Sequence, residues 1–172
     1  MTGSDAIEQL ADWCKRSQGK LLEIGADKPL AFNSLETYGT SEIDQLEQAI
    51  DWSLPALYRT LLSQVGRCEV FYGDDAFGLT LYSPAEVRTA SQGIWLEEDH
   101  VGDDEFCFIG ANRGMGDYFG FVTTRSGPAN FDVFCHEYPP YEYAAVSDEL
   151  KSWRTLDQWL VQVVESFGAR CL

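Results

Sequence analysis

The glycine-rich stretch GANRGMGDYFGF, residues 110–121, is the first place where residue types and spacing indicate possible chemistry. Glycines ahead of a helix can cradle a phosphate, because they let backbone N–H groups approach it closely. Two such patterns fail here: GxGxxG from Gly114 requires glycine at Phe119, and GxxxxGK[ST] from Gly110 requires glycine at Met115. The following YFGFV is typical of a strand. The stretch is therefore predicted to be an extended hairpin connection with glycines at positive φ.

The potential metal ligands and nucleophiles are few and scattered. Among two histidines and five cysteines, Cys135 and His136 are the only close pair. Neighbours on a strand point to opposite faces, so we predict that this pair does not chelate, and we predict no metal or cofactor. No GxSxG motif exists, and neither histidine lies in a recognisable catalytic signature. We therefore predict no catalytic residue and no enzyme; carboxylates assembled by the fold from separate elements are the alternative.

Acidic side chains dominate EEDHVGDDE, residues 97–105. Three interpretations stay open: a solvated loop kept extended by like charges, a contact surface for a basic protein, or a calcium site. The calcium interpretation is the weakest, because the third position of a calcium loop that begins at Asp99 is Val101 rather than an acid.

The composition favours a single folded domain with an acidic surface. The chain has 172 residues, 45% of them hydrophobic, and 28 acids against 12 bases give a net charge of −16. Such a charge repels nucleic-acid phosphates and anionic membranes and attracts basic proteins, although acidity that only maintains solubility is equally open. The odd number of widely spaced cysteines and the polar N-terminus predict free thiols in the cytoplasm.

Capping residues and apolar periodicity predict five helices. The clearest is the last, in which Thr155 and Gln158 form a capping box and an apolar stripe runs from Leu156 to Phe167. The helices are predicted to begin at or near Asp5, Ser41, Pro55, Ser83 and Thr155.

The strands are predicted from short runs rich in β-branched and aromatic residues, CEVFYG, GLTLY, FCFI, DYFGFVTT and FDVFC. LLEI is predicted as a short strand or turn, and PPYEYAAV as irregular, because paired prolines cannot continue a ladder. The fold class is therefore α+β: an antiparallel sheet of about five or six strands, with N-terminal helices, a middle helix and a C-terminal helix around it. We divide the chain into an N-terminal extension, residues 1–40, and a domain, residues 41–172.

The segment IDQLEQAIDWSLPALYRTLLSQVG, residues 43–66, resembles the opening of the Smi/Knr-like, or SUKH, domain. Further along this chain, GLTLYSPAEV resembles the next segment of the family. Gly116, Asp117 and Tyr118 resemble the family's Gly-Asp-aromatic turn. The matching positions are Ile43, Leu46, Glu47, Leu54, Pro55, Tyr58, Leu61, Leu62, Gly66, Gly78, Leu79, Leu81, Tyr82, Ser83, Glu86, Val87, Gly127, Pro128, His136 and Glu137.

The resemblance implies a protein-binding module without shared catalytic residues. Many bacterial members are immunity proteins that neutralise polymorphic toxins, often nucleases, and a fungal branch regulates cell-wall assembly by binding other proteins. The leading hypothesis is a cytoplasmic immunity protein that blocks a basic toxin by stoichiometric binding. A regulatory scaffold and an enzyme with fold-assembled carboxylates are the alternatives.

The candidate contacts with such a partner are acids in predicted connections and three aromatic anchors. Charge would raise the association rate, and aromatic side chains would supply affinity. For each anchor, packing in the core is the alternative. The acids are Asp74, Asp75, Glu97, Glu98, Asp99, Asp103, Asp104 and Glu105, and the anchors are Tyr72, Trp95 and Tyr141.

Overall fold

A computed structural model describes residues 1–74, 76, 78–93 and 105–171. These residues form six helices and seven strands, which confirms the predicted α+β class. The helices are α1 Gly3–Ser17, α2 Thr40–Ile50, α3 Ala56–Gln64, α4 Pro84–Gly93, α5 Pro140–Leu150 and α6 Leu156–Glu165. The strands are β1 Leu21–Leu22, β2 Leu30–Glu36, β3 Arg67–Tyr72, β4 Leu79–Leu81, β5 Phe106–Asn112, β6 Tyr118–Val122 and β7 Phe131–Phe134.

The sheet is an antiparallel meander in which every strand pairs with its neighbour in the chain, in the order β1 to β7. The antiparallel prediction is confirmed, and the sheet has seven strands rather than five or six. The additional strand in the first forty residues is β2, which pairs along much of its length with β3.

Helices cover both faces of the sheet. On one face, α1, α3 and α6 bury residues such as Ile7, Leu61 and Trp159 in the main hydrophobic core. The ring of Trp159 lies 4.6 Å from that of Phe119 in β6. On the other face, four residues of β5, β6 and β7 form a smaller cluster against Ala90 of α4 and Tyr143 of α5; these four are Phe106, Phe108, Val122 and Phe134.

Residues 1–40 share the main core with the rest of the chain. Ile7 and Leu10 of α1 and Phe32 of β2 are buried in it. The Gly3 N–H donates to the Asp157 carboxylate at the start of α6, at 2.7 Å. A domain boundary at residue 40 stays a prediction.

Local interactions confirm several predicted helix starts. The N–H of Ser83 donates to the Glu86 carboxylate and the N–H of Glu86 donates to the Ser83 hydroxyl, so α4 has the predicted capping box. The predicted box at the start of α6 is present as well. At α1 the cap is Thr2 rather than Asp5, which is the third helical residue and accepts the Thr2 N–H.

Two predictions about prolines and caps are wrong. PPYEYAAV is not irregular: Pro139 caps α5 and Pro140 is its first residue, where the missing N–H has no partner to lose. Helix α2 begins at Thr40, near the predicted start, but its cap is Gly39 rather than the expected capping residue Ser41, and the Glu42 carboxylate accepts the Gly39 N–H. None of the helices in the described ranges has both the length and the hydrophobicity that a membrane crossing requires.

The glycine-rich stretch is a hairpin connection, as predicted. Strand β5 ends at Asn112 and β6 begins at Tyr118. The side-chain oxygen of Asn112 accepts the N–H groups of Gly114 and Met115, and its carbonyl accepts the Gly116 N–H at 2.8 Å. Gly116 has φ +84°, a conformation that glycine adopts at little cost.

Candidate protein-binding surface

Four of the predicted contact residues lie within the described part of the chain. Tyr72 is half-buried at the end of β3, and its hydroxyl lies 3.3 Å from Thr80 Oγ1. Asp74 is exposed at the tip of the β3–β4 hairpin, and Glu105 is exposed just before β5. Tyr141 is 49% exposed in the first turn of α5. The other predicted contacts lie outside the described residues: Asp75, Trp95, Glu97, Glu98, Asp99, Asp103 and Asp104.

The sheet register separates Asp74 from Glu105. Leu79 at the start of β4 pairs with Asn112 at the end of β5, so Asp74 lies beyond the C-terminal end of β5. Glu105 lies beyond the opposite end of the same strand. The length of β5 alone places the two carboxylates about 20 Å apart. They therefore do not form one compact acidic site.

Tyr141 lies at the same end of the sheet as Asp74. Phe134, the last residue of β7, pairs with Tyr118, the first residue of β6, so the turn after β7 lies beside the β5–β6 connection. Helix α5 begins directly after that turn. A Cβ atom added to Gly116 would lie 3.4 Å from His136 Cγ, which shows how closely the two segments approach.

Exposed aromatic and acidic side chains lie on these two segments, and we call this region the aromatic–acidic surface. It comprises Met115, Glu137, Tyr138, Tyr141 and Glu142. Its three large apolar members are 44%, 46% and 49% exposed, and both acids are exposed. Within the described ranges, neither acid forms an ion pair.

The chemistry of this surface is typical of a protein interface. Tyrosine and methionine are enriched at the buried centres of such interfaces, because they contribute large contact area. The Tyr138 ring lies 6.2 Å from the half-buried ring of Tyr143, so it is supported from beneath on one side. Sequence reasoning identified Tyr141 but missed Tyr138 and Met115, since nothing in the local pattern distinguishes an exposed aromatic from a packed one.

Beneath this surface, Asp117 is buried with a side-chain exposure of 6%. Its Oδ1 accepts the backbone N–H of His136 at 3.1 Å and lies 2.9 Å from His136 Nδ1. Cys135 completes a group in which one ligand atom from each residue lies within 4.8 Å of the others. The prediction that Cys135 and His136 point to opposite faces is wrong, because both lie past the end of β7, in a turn closed by the Tyr138 N–H and the Cys135 carbonyl.

A groove of about 370 Å³ between α2 and α4 is one place where carboxylates from separate elements come together. Glu36 and Glu42 line it. Glu36 accepts from the Tyr38 hydroxyl at 3.1 Å; burial first, and then this carboxylate, raises the pKa of Tyr38 to about 12. Glu42 accepts the Gly39 N–H at the start of α2. Both carboxylates therefore have hydrogen bonds that stabilise the local fold.

Glu86, in the first turn of α4, also has hydrogen bonds that stabilise the local fold. Burial acts to raise the pKa of its carboxyl group, but hydrogen bonds from Ser83 and Arg67 outweigh that effect and lower it below 4.5. A general acid at neutral pH needs the opposite shift, toward a higher pKa.

This chain is similar in sequence to a known family and to a known protein over most of its length. The model of the SMI1 / KNR4 family (SUKH-1) matches residues 39–162, from the cap of α2 into α6. The immunity protein RhsIB of Dickeya dadantii (strain 3937) is 25% identical over 168 residues, which cover 96% of this chain and 96% of that protein. No solved structure matches the chain. The family match covers well over half of the residues and confirms the resemblance: the chain belongs to the SMI1 / KNR4 family (SUKH-1).

Proposed function

We propose that this protein is an immunity protein that neutralises a protein toxin by binding it. The observation that carries the proposal is the similarity to an immunity protein over 96% of both chains. That similarity extends beyond the family segment, residues 39–162, into α1 and β2. The shared region therefore includes the elements that complete the core, as well as the family segment.

The net charge of −16 supports a basic toxin as the partner. A toxin that cleaves nucleic acid must itself attract phosphates, so its active groove presents lysine and arginine side chains. An acidic inhibitor is drawn to such a groove over a distance, which raises the association rate. Individual exposed ion pairs contribute only about 0–1 kcal/mol, so the affinity must come from other contacts.

We assign those contacts to the aromatic–acidic surface. Tyr138 and Tyr141 would supply buried anchor area, and Glu137 and Glu142 beside them would face the basic groove. Seated in this way, the protein would cover the toxin's substrate site without any chemical step of its own. We further propose that it acts in the cytoplasm, where its five free cysteines stay reduced.

The function is tested with a toxin domain whose gene adjoins this one; a genome without such a neighbouring gene would favour the regulatory-scaffold alternative. Co-expression of the two chains is expected to protect a host that the toxin alone kills. Purified together, they are expected to elute as an equimolar complex in size-exclusion chromatography with light scattering. Unprotected hosts and separate elution of the two chains would refute the proposal.

The binding surface is tested by replacing its anchors. The double variant Tyr138→Ser, Tyr141→Ser is expected to raise the Kd at least about 30-fold, mainly through faster dissociation. Leu150→Ser is the matched control, because Leu150 is 68% exposed at the far end of the same helix. Equal affinities for the two variants would show that the toxin binds elsewhere.

Charge reversal separates this surface from the acidic segment 97–105. Glu137→Lys with Glu142→Lys is expected to slow association and to weaken its dependence on salt. The triple reversal of Asp103, Asp104 and Glu105 to Lys tests the segment in the same assay. An effect confined to the triple variant would move the interface to the opposite end of the sheet.

A further inference from the structure

We propose that Asp117, Cys135 and His136 form a binding site for one divalent transition-metal ion, with Zn²⁺ as the representative. Their ligand atoms, a carboxylate oxygen, a thiol sulfur and an imidazole nitrogen, all lie within 4.8 Å of one another. The proposal is independent of the immunity function, because it rests on these three side chains alone.

The donor set matches the preferences of Zn²⁺. This ion is borderline-soft and takes thiolate, imidazole and carboxylate ligands together, at about 2.0–2.3 Å from each ligand atom. A tetrahedral site with such bonds separates its ligand atoms by about 3.3–3.6 Å. The separations within the group, 4.8 Å at most, therefore need only small side-chain rotations to reach those values.

The sheet register holds the ligands opposite each other. Asp117 immediately precedes Tyr118, Cys135 immediately follows Phe134, and Tyr118 pairs with Phe134. The Asp117 carbonyl also accepts the Asn112 N–H at 2.8 Å, which anchors the residue to the end of β5. The ligands therefore sit on the rigid end of a hairpin ladder, which limits the entropy lost on binding.

Hydrogen bonding around the carboxylate supports ligation. Asp117 Oδ1 accepts the backbone N–H of His136 at 3.1 Å, the kind of outer contact that orients a metal-ligating carboxylate. The turn at Gly116 packs against the imidazole, since a Cβ atom added to this glycine would be in van der Waals contact with His136 Cγ at 3.4 Å. The His136 side chain is 48% exposed, so an ion has a path from solvent and an open position for water.

Metal binding would replace a proton. In the metal-free protein, His136 Nδ1 and Asp117 Oδ1 are 2.9 Å apart and share a hydrogen bond. An ion bound at Nδ1 would leave the neutral imidazole with its proton on Nε2, and Cys135 would bind as the thiolate and give its own proton to the solvent. Binding would therefore release protons and weaken at lower pH.

The test uses the full chain after dialysis against a chelator. Isothermal titration calorimetry with Zn²⁺ is expected to show one ion bound per chain. Repeating it in buffers of different ionisation enthalpy is expected to show that binding releases protons. Co²⁺ is expected to produce a sulfur-to-cobalt charge-transfer absorption. Both Cys135→Ser and His136→Gln are expected to weaken Zn²⁺ binding at least about tenfold, and Cys135→Ser is expected to abolish the cobalt band.

Two control variants keep the result interpretable. Cys14→Ser removes a buried thiol in α1, and Glu149→Gln removes an exposed acid near the far end of α5; neither is expected to change the affinity. Circular dichroism of each variant checks that it is folded. Wild-type protein that binds no stoichiometric Zn²⁺, or folded Cys135→Ser protein that binds as tightly as wild type, would overturn the proposal.

Discussion

Gly66 between α3 and β3 is the residue whose replacement gives the sharpest test of the packing. It adopts φ +66°, and its Cα faces the backbone at the end of β2. A Cβ atom there would lie 2.8 Å from Thr37 Cα and would overlap the Glu36 carbonyl oxygen. Because both obstacles are backbone atoms, the junction between β2 and α3 must open to admit a methyl group.

The cost of Gly66→Ala is the sum of two effects. The left-handed conformation costs alanine about 1 kcal/mol, and overpacking costs about 1–3 kcal/mol more. The free energy of unfolding should therefore fall by about 2–4 kcal/mol, out of roughly 5–15 kcal/mol for a typical domain. At about 2–4 °C per kcal/mol for a chain of this size, the Tm should fall by about 4–16 °C.

Gly127 provides the matched control. It also has a positive φ, +94°, but a Cβ atom added to it meets nothing within 4 Å. Gly127→Ala should therefore lose only the conformational part, about 1 kcal/mol. Urea denaturation of the wild type and both variants measures the difference, with unchanged m-values showing that the transition stays two-state.

Equal losses for the two variants would refute the steric argument. A larger loss of unfolding free energy for Gly66→Ala, together with unchanged toxin binding at temperatures well below the Tm, would show that Gly66 stabilises the fold and does not contact the toxin. Gly66 closes the helical segment that carries the family resemblance, so this outcome would separate the residues that specify the fold from those that contact a partner.

Three further predictions concern buried or hydrogen-bonded polar groups. Within the described residues, the Tyr58 hydroxyl is buried without a hydrogen-bond partner. Tyr58→Phe should therefore leave the free energy of unfolding unchanged or raise it by up to about 1 kcal/mol. A clearly lower Tm for this variant in thermal unfolding would contradict the prediction. Glu86→Gln should lower the free energy of unfolding by about 1 kcal/mol at pH 7. Because folding lowers the pKa of Glu86, this loss relative to wild type should persist above about pH 4.5 and should vanish as the pH falls through the folded pKa. Chemical denaturation of both proteins at several pH values measures the loss. Arg154→Met leaves the carboxylate of Asp132, which is 3% exposed, without its cation and should lower the free energy of unfolding by about 3 kcal/mol. Adding Asp132→Asn should restore part of this loss. Additive losses for the two substitutions in a double-mutant cycle would contradict the coupling.

Features that depend on residues close together in the chain were predictable. The capping boxes of α4 and α6 join residues three positions apart, so their residue types alone indicate them. The turn before β6 followed equally from its glycines. Strand β2 was missed because only its first half is buried, which leaves no sustained alternation to detect. Helix α5 was missed because its prolines lie at the cap and first position, where they are tolerated.

By itself, the sequence determined an acidic α+β protein and its family, because charge, capping and motif order are properties of the linear chain. Only the tertiary structure decided which side chains meet. The pairing of Tyr118 with Phe134 brings Asp117 to His136 across 19 residues, and the pairing of Leu79 with Asn112 separates Asp74 from Glu105. Strand register sets such contacts, and a shift of one residue would turn every side chain to the other face. That register depends on turn geometry and on which face of the sheet is buried, so reading each strand by itself did not reveal it.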